Sequence, residues 1–248
     1  MKSIPDKYDR ALQQWESLST RWARWPVLNP PRWTTAGAGS PSRGARTRRG
    51  REITVVYPGR FQPWHAGHHD ILRRIALGDL SVYAAEEDRG FMRNVQIRGI
   101  VVHVVDIVEP KVSNPLTVAD RRGLIEMSVR RDPMLLTQPF AIRTDYISAN
   151  AFSRAHLAHI RLIVPIAKGN IVVVSGNPAT LFDAQDVGLR GIHVSNRDGS
   201  GAQSATAVRN AIVDGRESDI AGMLAPGGFN YMKAHGLFSR IRKISVGG

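Results

Sequence analysis

From residue 52 onward, apolar residues recur at two alternating spacings, one suited to buried strands and the other to amphipathic helices. Residues 53–57, Ile-Thr-Val-Val-Tyr, form a short apolar run, and 67–77 then place Ile71, Leu72, Ile75 and Ala76 on one helical face. The alternation predicts further strands near 100–108, 140–144, 171–175 and 192–194. It predicts helices near 118–130, 151–161, 179–187 and 206–214, with one or two short helices at the C-terminal end. Continuously apolar strands that alternate with helices imply an α/β fold, a parallel sheet covered by helices on both faces. Such a sheet places ligands beyond the carboxyl ends of its strands, near the reversal of strand order.

Residues 1–50 break the pattern and divide the chain into a basic Trp/Pro/Gly-rich extension and a domain over 51–248. Trp15, Trp22, Trp25 and Trp33 are four of the five tryptophans, Pro26, Pro30 and Pro31 interrupt any long helix, and 35–50 is rich in Gly, Ser and Arg. Basic residues interleaved with aromatics can bind single-stranded nucleic acid or dock on a neighbouring subunit. The composition favours a poorly ordered extension.

Charge sharpens this division. Of the net +13, residues 1–51 contribute 11 Lys/Arg against 3 Asp/Glu, and the remainder 23 against 18. The smaller excess in the domain suits an anionic substrate. The absence of cysteine excludes a disulfide framework, a thiol nucleophile and a cysteine-based zinc site. No apolar run reaches membrane-spanning length, and Met1 to Asp6 lack a signal-peptide core, so a cytoplasmic location is expected.

The chemistry concentrates in Gly59-Arg60-Phe61-Gln62-Pro63-Trp64-His65-Ala66-Gly67-His68, between the first strand and the first helix. Gly59 allows a close turn, Pro63 stiffens the loop, and Gly67 leaves room at the helix start. There N–H groups, His65 and His68 can donate to phosphate oxygens while Arg60 supplies a cationic fork. A Gly/Pro turn with incidental histidines is the plainer alternative. Zinc is disfavoured, because His65, His68 and His69 are not set in a His-Glu-x-x-His pattern, and the chain carries neither a Walker loop nor a Gly-x-Gly-x-x-Gly fingerprint.

These ten residues resemble the signature of the His-x-Gly-His nucleotidyltransferase superfamily, and look most like its archaeal-type nicotinamide mononucleotide adenylyltransferases. Three later segments are similar to that family's motifs, in the same order: Asn114-Pro115-Leu116-Thr117-Val118-Ala119-Asp120-Arg121, Val174-Ser175-Gly176-Asn177-Pro178 and Ser204-Ala205-Thr206-Ala207-Val208-Arg209. The likeness spans about residues 52–245. It implies a Rossmann-like nucleotidyltransferase fold and transfer of AMP from ATP to a pyridine mononucleotide, with Mg²⁺ bound mainly through the ATP phosphates and a homo-oligomeric assembly.

The resemblance also implies roles. His65, His68 and Arg209 would be catalytic; Gly59, Arg60, Phe61, Gly67, Arg121, Ser204 and Thr206 would form the ATP site, with Arg121 a second phosphate-binding arginine. Asn150, Phe152, His156 and Asn177 would meet the mononucleotide. Two departures concern that acceptor. The family's Trp-x-x-His appears here as His156-Leu157-Ala158-His159, so His156 or Phe152 would stack in place of the tryptophan. The interval 78–112 is also longer than the family's, and its Glu86-Glu87-Asp88-Arg89 stretch reads as a solvated loop. A related nucleotidyltransferase with another phosphate acceptor, and a non-catalytic nucleotide- or nucleic-acid-binding protein, remain alternatives.

Overall fold

A computed structural model describes residues 51–80, 83–106, 113–148, 170–186, 188–195 and 204–246. The extension over 1–50, the helix expected over 151–161, and Asn150, Phe152 and His156 lie outside the described residues. Five strands, β1 (Arg51–Gly59), β2 (Val95–Asp106), β3 (Ala141–Ser148), β4 (Asn170–Ser175) and β5 (Arg190–His193), form one sheet in the order β3-β2-β1-β4-β5. Every pairing is parallel. The α/β architecture expected from the alternating pattern is therefore present, and it is Rossmann-like. Strand order reverses at β1, so the carboxyl ends of β1 and β4 flank the switch point.

The period-2 pattern explains the core. Ile53, Val55 and Tyr57 of β1, Ile100, Val102 and Val104 of β2, Ile142 of β3, Val172 and Val174 of β4 and Ile192 of β5 enter one cluster. Helices α1 (Ala66–Leu77), α3 (Val118–Arg130) and α6 (Ala205–Val213) contribute Leu72, Ile75, Leu124, Ile125, Val129, Val208 and Ile212 to it. Thr54, Val56, Val101 and Val173 are buried on the opposite face. There α5 (Pro178–Asp186) packs Leu181 close against β5, where a Cβ on Gly191 would stand 3.1 Å from Leu181 Cδ2.

Three expectations need correction. The acidic stretch at 86–89 is not a loop but opens α2 (Glu86–Arg93). Its three carboxylates lie in the first turn, where they complement the helix dipole. Met92 is buried, while Arg190 from β5 stands 4.1 Å over the Phe91 ring and 2.8 Å from Asp88. β2 begins at Val95, five residues before the predicted start. After α6 the described chain forms three short helices rather than one or two: α7 (Glu217–Met223), α8 (Gly228–Ala234) and α9 (Leu237–Val246). A one-turn helix, α4 (Pro133–Leu136), also follows α3, capped by Asp132.

The C-terminal helices support the element that matters most for the site. Tyr231 of α8 lies so close to α3 that a Cβ on Gly123 would stand 1.9 Å from its hydroxyl oxygen. The start of α3 is fixed by a capping box in which Thr117 Oγ1 accepts from Asp120 N and Asp120 Oδ2 accepts from Thr117 N. Arg240 of α9 pairs with that same Asp120. Among the described residues, no helix is long and apolar enough to cross a membrane.

Candidate active site

β1 delivers the chain to Gly59 at the switch point, and the next six residues fold back on the sheet. A Cβ on Gly59 would stand 2.5 Å from Phe61 Cε1, so this close approach requires glycine. Phe61 itself has a φ of 50°, a left-handed conformation that surrounding structure must impose on a non-glycine residue. The imposition comes from packing. Phe61 meets Tyr57 and Trp64 edge-on, at centroid distances of 5.5 and 4.9 Å. Trp64 is fully buried and donates through Nε1 to Ser128 Oγ of α3 at 2.9 Å; Ser128 in turn donates to Ile125 O at 2.8 Å.

Two side chains then pin the loop's main chain. Gln62 donates through Nε2 to Leu116 O at 2.9 Å, and Leu116 N–H donates to Gln62 Oε1 at 3.0 Å. Arg121 donates to Arg60 O at 2.8 Å and Val105 O at 2.7 Å through Nη1, and to Thr117 O at 3.2 Å through Nε. Arg121 is only 1% exposed. The guanidinium is buried and engages main-chain carbonyls of the loop, of β2 and of the α3 start. It braces the loop over 59–65 from beneath.

His65 is the N-cap of α1. Its Nδ1 accepts from Gly67 N at 3.1 Å, which leaves the proton of the neutral ring on Nε2. The His68 ring lies 3.7 Å from that of His65 and is stacked on Trp64 at 5.5 Å. Burial pushes the His65 pKa down to about 4. Burial and then the neighbouring His65 hold His68 well below the ordinary value. The structure thus joins two neutral imidazoles at the start of a helix, and the buried His68 Nδ1 has no hydrogen-bond partner among the described residues. His69 takes a different course. It points into the core, with Nε2 2.8 Å from Asp132 Oδ2, the same oxygen that meets Arg73 at 3.1 Å.

The buried histidines set an acid limit on stability. His65, at about 4, and His103 of β2, pushed to about 3 by burial, lie below the ordinary 6.5 of an exposed imidazole. Below that value the unfolded chain binds protons that the folded chain refuses, so stability falls as pH drops from 6.5 toward 4. Each such histidine costs about 1.4 kcal/mol per pH unit, or about 4 kcal/mol for the two near pH 5. Urea midpoints measured at about pH 7.5 and about pH 5 should show this loss; equal midpoints would contradict it.

The late motif reaches the same loop from the other side of the switch point. Ser204 caps α6 by accepting from Ala207 N at 3.1 Å. Arg209 donates through Nη1 to Gln62 O at 2.6 Å and through Nη2 to Thr206 Oγ1 at 3.0 Å. Burial and then the nearby Arg60 lower the Arg209 pKa. Arg60 is exposed, and among the described residues no carboxylate pairs with either guanidinium. A backbone bridge between His65 and Leu224 closes the loop against the chain that follows α7. Asn177, exposed beyond the end of β4, accepts from Ala179 N at 3.1 Å and opens α5.

The structure therefore brings together Gly59, Arg60, Phe61, His65, Gly67, His68, Ser204, Thr206 and Arg209. Two helix starts, two neutral imidazoles and two guanidiniums with no carboxylate partner among the described residues form a site suited to a polyanion. Its donors do not suit a divalent cation, and no three His, Asp or Glu side chains converge as metal ligands among the described residues. Sequence reasoning passed over Gln62, Trp64 and Ser128. The available signal was an uncharged polar residue between Phe61 and Pro63, at a position the structure buries.

No protein-family model and no curated protein sequence matches the chain. Solved structures do. A bifunctional NMN adenylyltransferase/ADP-ribose pyrophosphatase from Francisella tularensis, complexed with AMP and a manganese ion, matches with a TM-score of 0.53 and 18% identity over 78% of this chain. The same protein in another structure gives 0.54 and 17%, again over 78%. This chain spans about half of their length, 52% in each case. A nicotinic acid mononucleotide adenylyltransferase from Plasmodium falciparum, complexed with APC, gives 0.42 and 11%, over 76% of this chain and 98% of its own. The likeness to the Francisella structures extends to the fold.

Proposed function

We propose that this protein is a nucleotidyltransferase that transfers AMP from ATP to nicotinamide mononucleotide, producing NAD⁺ and pyrophosphate. The observation that carries this reading is the approach of Arg60 and Arg209 with no carboxylate paired to either among the described residues. Two cations held together in a partly buried place repel each other until a polyanion lies between them. The four sequence motifs and the fold shared with an NMN adenylyltransferase support a nucleoside triphosphate as that anion.

In this reading the mononucleotide 5′-phosphate attacks the α-phosphorus of ATP. One P–O bond forms, the bond to the bridging oxygen breaks, and pyrophosphate leaves. The attacking oxygen is already anionic, so no strong base is required, and the protein's task is positioning and charge stabilisation. His65 and His68 donate to the oxygens on which charge develops, while Arg60, Ser204, Thr206 and Arg209 hold the β- and γ-phosphates. No three His, Asp or Glu side chains converge as metal ligands among the described residues, so Mg²⁺ would be bound mainly through the ATP phosphates and would supply charge screening there. Asn177 lies at the acceptor side of the switch point, and Asn150, Phe152 and His156 are proposed to complete that side.

The deciding experiment supplies the full chain with ATP, Mg²⁺ and either nicotinamide or nicotinate mononucleotide. The dinucleotide is separated chromatographically and pyrophosphate is measured. Stoichiometric NAD⁺ and pyrophosphate are expected with the amide. Product only with the acid would reassign the acceptor, and no pyrophosphate with either would overturn the reading.

A further inference from the structure

We infer that Gln62 is a positioning residue that holds Arg209 in its phosphate-binding orientation. The inference rests on the phosphate role proposed above for Arg209. Gln62 is 4% exposed, and its side chain and its main-chain carbonyl engage different elements. Its side-chain amide reads the main chain of Leu116 as a neighbouring strand would, with Nε2 donating to the carbonyl and Oε1 accepting from the N–H. The opposite amide orientation would set donor against donor and acceptor against acceptor, so both bonds specify one placement. The side chain cannot turn away without leaving two main-chain groups of Leu116, itself buried, unpaired.

The backbone carbonyl of the same residue accepts from Arg209 Nη1 at 2.6 Å. Thr206 Oγ1 takes Nη2 at 3.0 Å, so the planar fork is held at two points, one on each side of the site. A guanidinium fixed in this way keeps its remaining donors for a ligand and loses little side-chain freedom on binding. The constraint passes from the segment before α3, through the Gln62 amide, to a carbonyl, and from there to Arg209. It links three motifs that lie far apart in sequence, and the linking residue carries no charge of its own to offer a phosphate.

The test is a cycle of ATP affinities measured by calorimetry on Gln62→Met, Arg209→Ala and the double variant. Far-UV circular dichroism and gel filtration report the fold, and pyrophosphate release is followed in parallel. Gln62→Met should weaken ATP binding about tenfold, the scale of one charge-assisted hydrogen bond. In the Arg209→Ala background the same change should cost no more than about twofold, because its target is gone. A second variant, Gln62→Glu, keeps the acceptor for Leu116 N–H and regains the donor only when its carboxyl is protonated. Its ATP affinity relative to wild type should therefore recover as pH falls.

Wild-type ATP affinity in both Gln62 variants would overturn the proposal. So would losses that multiply fully in the double variant, since Gln62 would then act independently of Arg209. If Gln62→Met does not fold, the pH dependence of Gln62→Glu decides, and a ratio to wild type that stays flat with pH is the overturning result. A wild-type chain that binds ATP yet releases no pyrophosphate with either pyridine mononucleotide sinks the acceptor reading alone. The affinity cycle then still decides the role of Gln62.

Discussion

Replacing His68 with asparagine is expected to lower turnover about 10²–10³-fold while leaving the far-UV circular dichroism unchanged, the loss typical of removing one preorganised donor to a developing oxyanion. The imidazole is stacked on Trp64, and its Nδ1 is buried without a partner among the described residues. Such an atom is costly unless a ligand completes it. The ring is also neutral, because burial and the adjacent His65 both disfavour the imidazolium. In the proposed reaction it would therefore face ATP as a hydrogen-bonding group and gain proton affinity only as negative charge accumulates beside it. That differential is what separates rate from simple binding, so kcat should fall more than KM rises. Asparagine keeps a polar group at the position and limits the cavity left over Trp64. Turnover within about threefold of wild type would remove His68 from the reacting centre.

The second large effect concerns stability. Arg121→Met keeps the aliphatic stem but removes the side-chain donor to Arg60 O and Val105 O, while Thr117 O keeps its bond from Arg121 N at 3.1 Å. Each carbonyl left unsatisfied costs about 1–3 kcal/mol, so a total loss of about 2–4 kcal/mol is expected after partial relaxation. Urea unfolding measures it directly. A phosphate-binding arginine would behave otherwise: its removal would spare the unfolding midpoint and raise the KM for ATP. Lysine distinguishes the two roles again, because it retains the charge but lacks the planar fork that reaches separate carbonyls. A stable, tightly folded Arg121→Met chain with weakened ATP binding would support the phosphate-binding role read from the sequence.

Arg121 marks where sequence reasoning stopped. The motif 114–121 could be aligned by residue type, but type does not reveal which way a guanidinium points. Burial against three carbonyls is a tertiary fact. Strand and helix alternation was legible because parallel strands buried on both faces are largely apolar along their buried stretches, as 53–57 of β1 and 171–174 of β4 are. The start of β2 was missed because Arg98 and Gly99 interrupt its apolar residues. Register supplies the reason for its greater length: β1 pairs with it from Arg51↔Val95 onward, with an irregularity between Ile53 and Thr54. The helix at 86–93 was read as a loop because its anchors lie elsewhere. Arg190 comes from the far strand, more than a hundred residues away in sequence. The loop over 59–68 was readable since its glycines, proline and histidines each impose a local constraint; Gln62 was not, since its partners are the main chain of Leu116 and the side chain of Arg209.

The loop over 59–68 spans few residues, and beyond its local contacts it is tied to segments distant in sequence. Its ties reach 54 residues along the chain to Leu116, 61 to Arg121, 64 to Ser128 and 147 to Arg209, and the His65 bridge extends to Leu224. During synthesis, a nascent chain that has emerged only through β4 already contains every residue of the loop but lacks Arg209 and Leu224. Closing such distant contacts carries the largest entropic cost in assembly, so this geometry forms late. If the proposed function holds, affinity for nucleotide would arise only once the last third has folded back onto the first strand, so a nascent chain lacking Arg209 would bind nucleotide weakly.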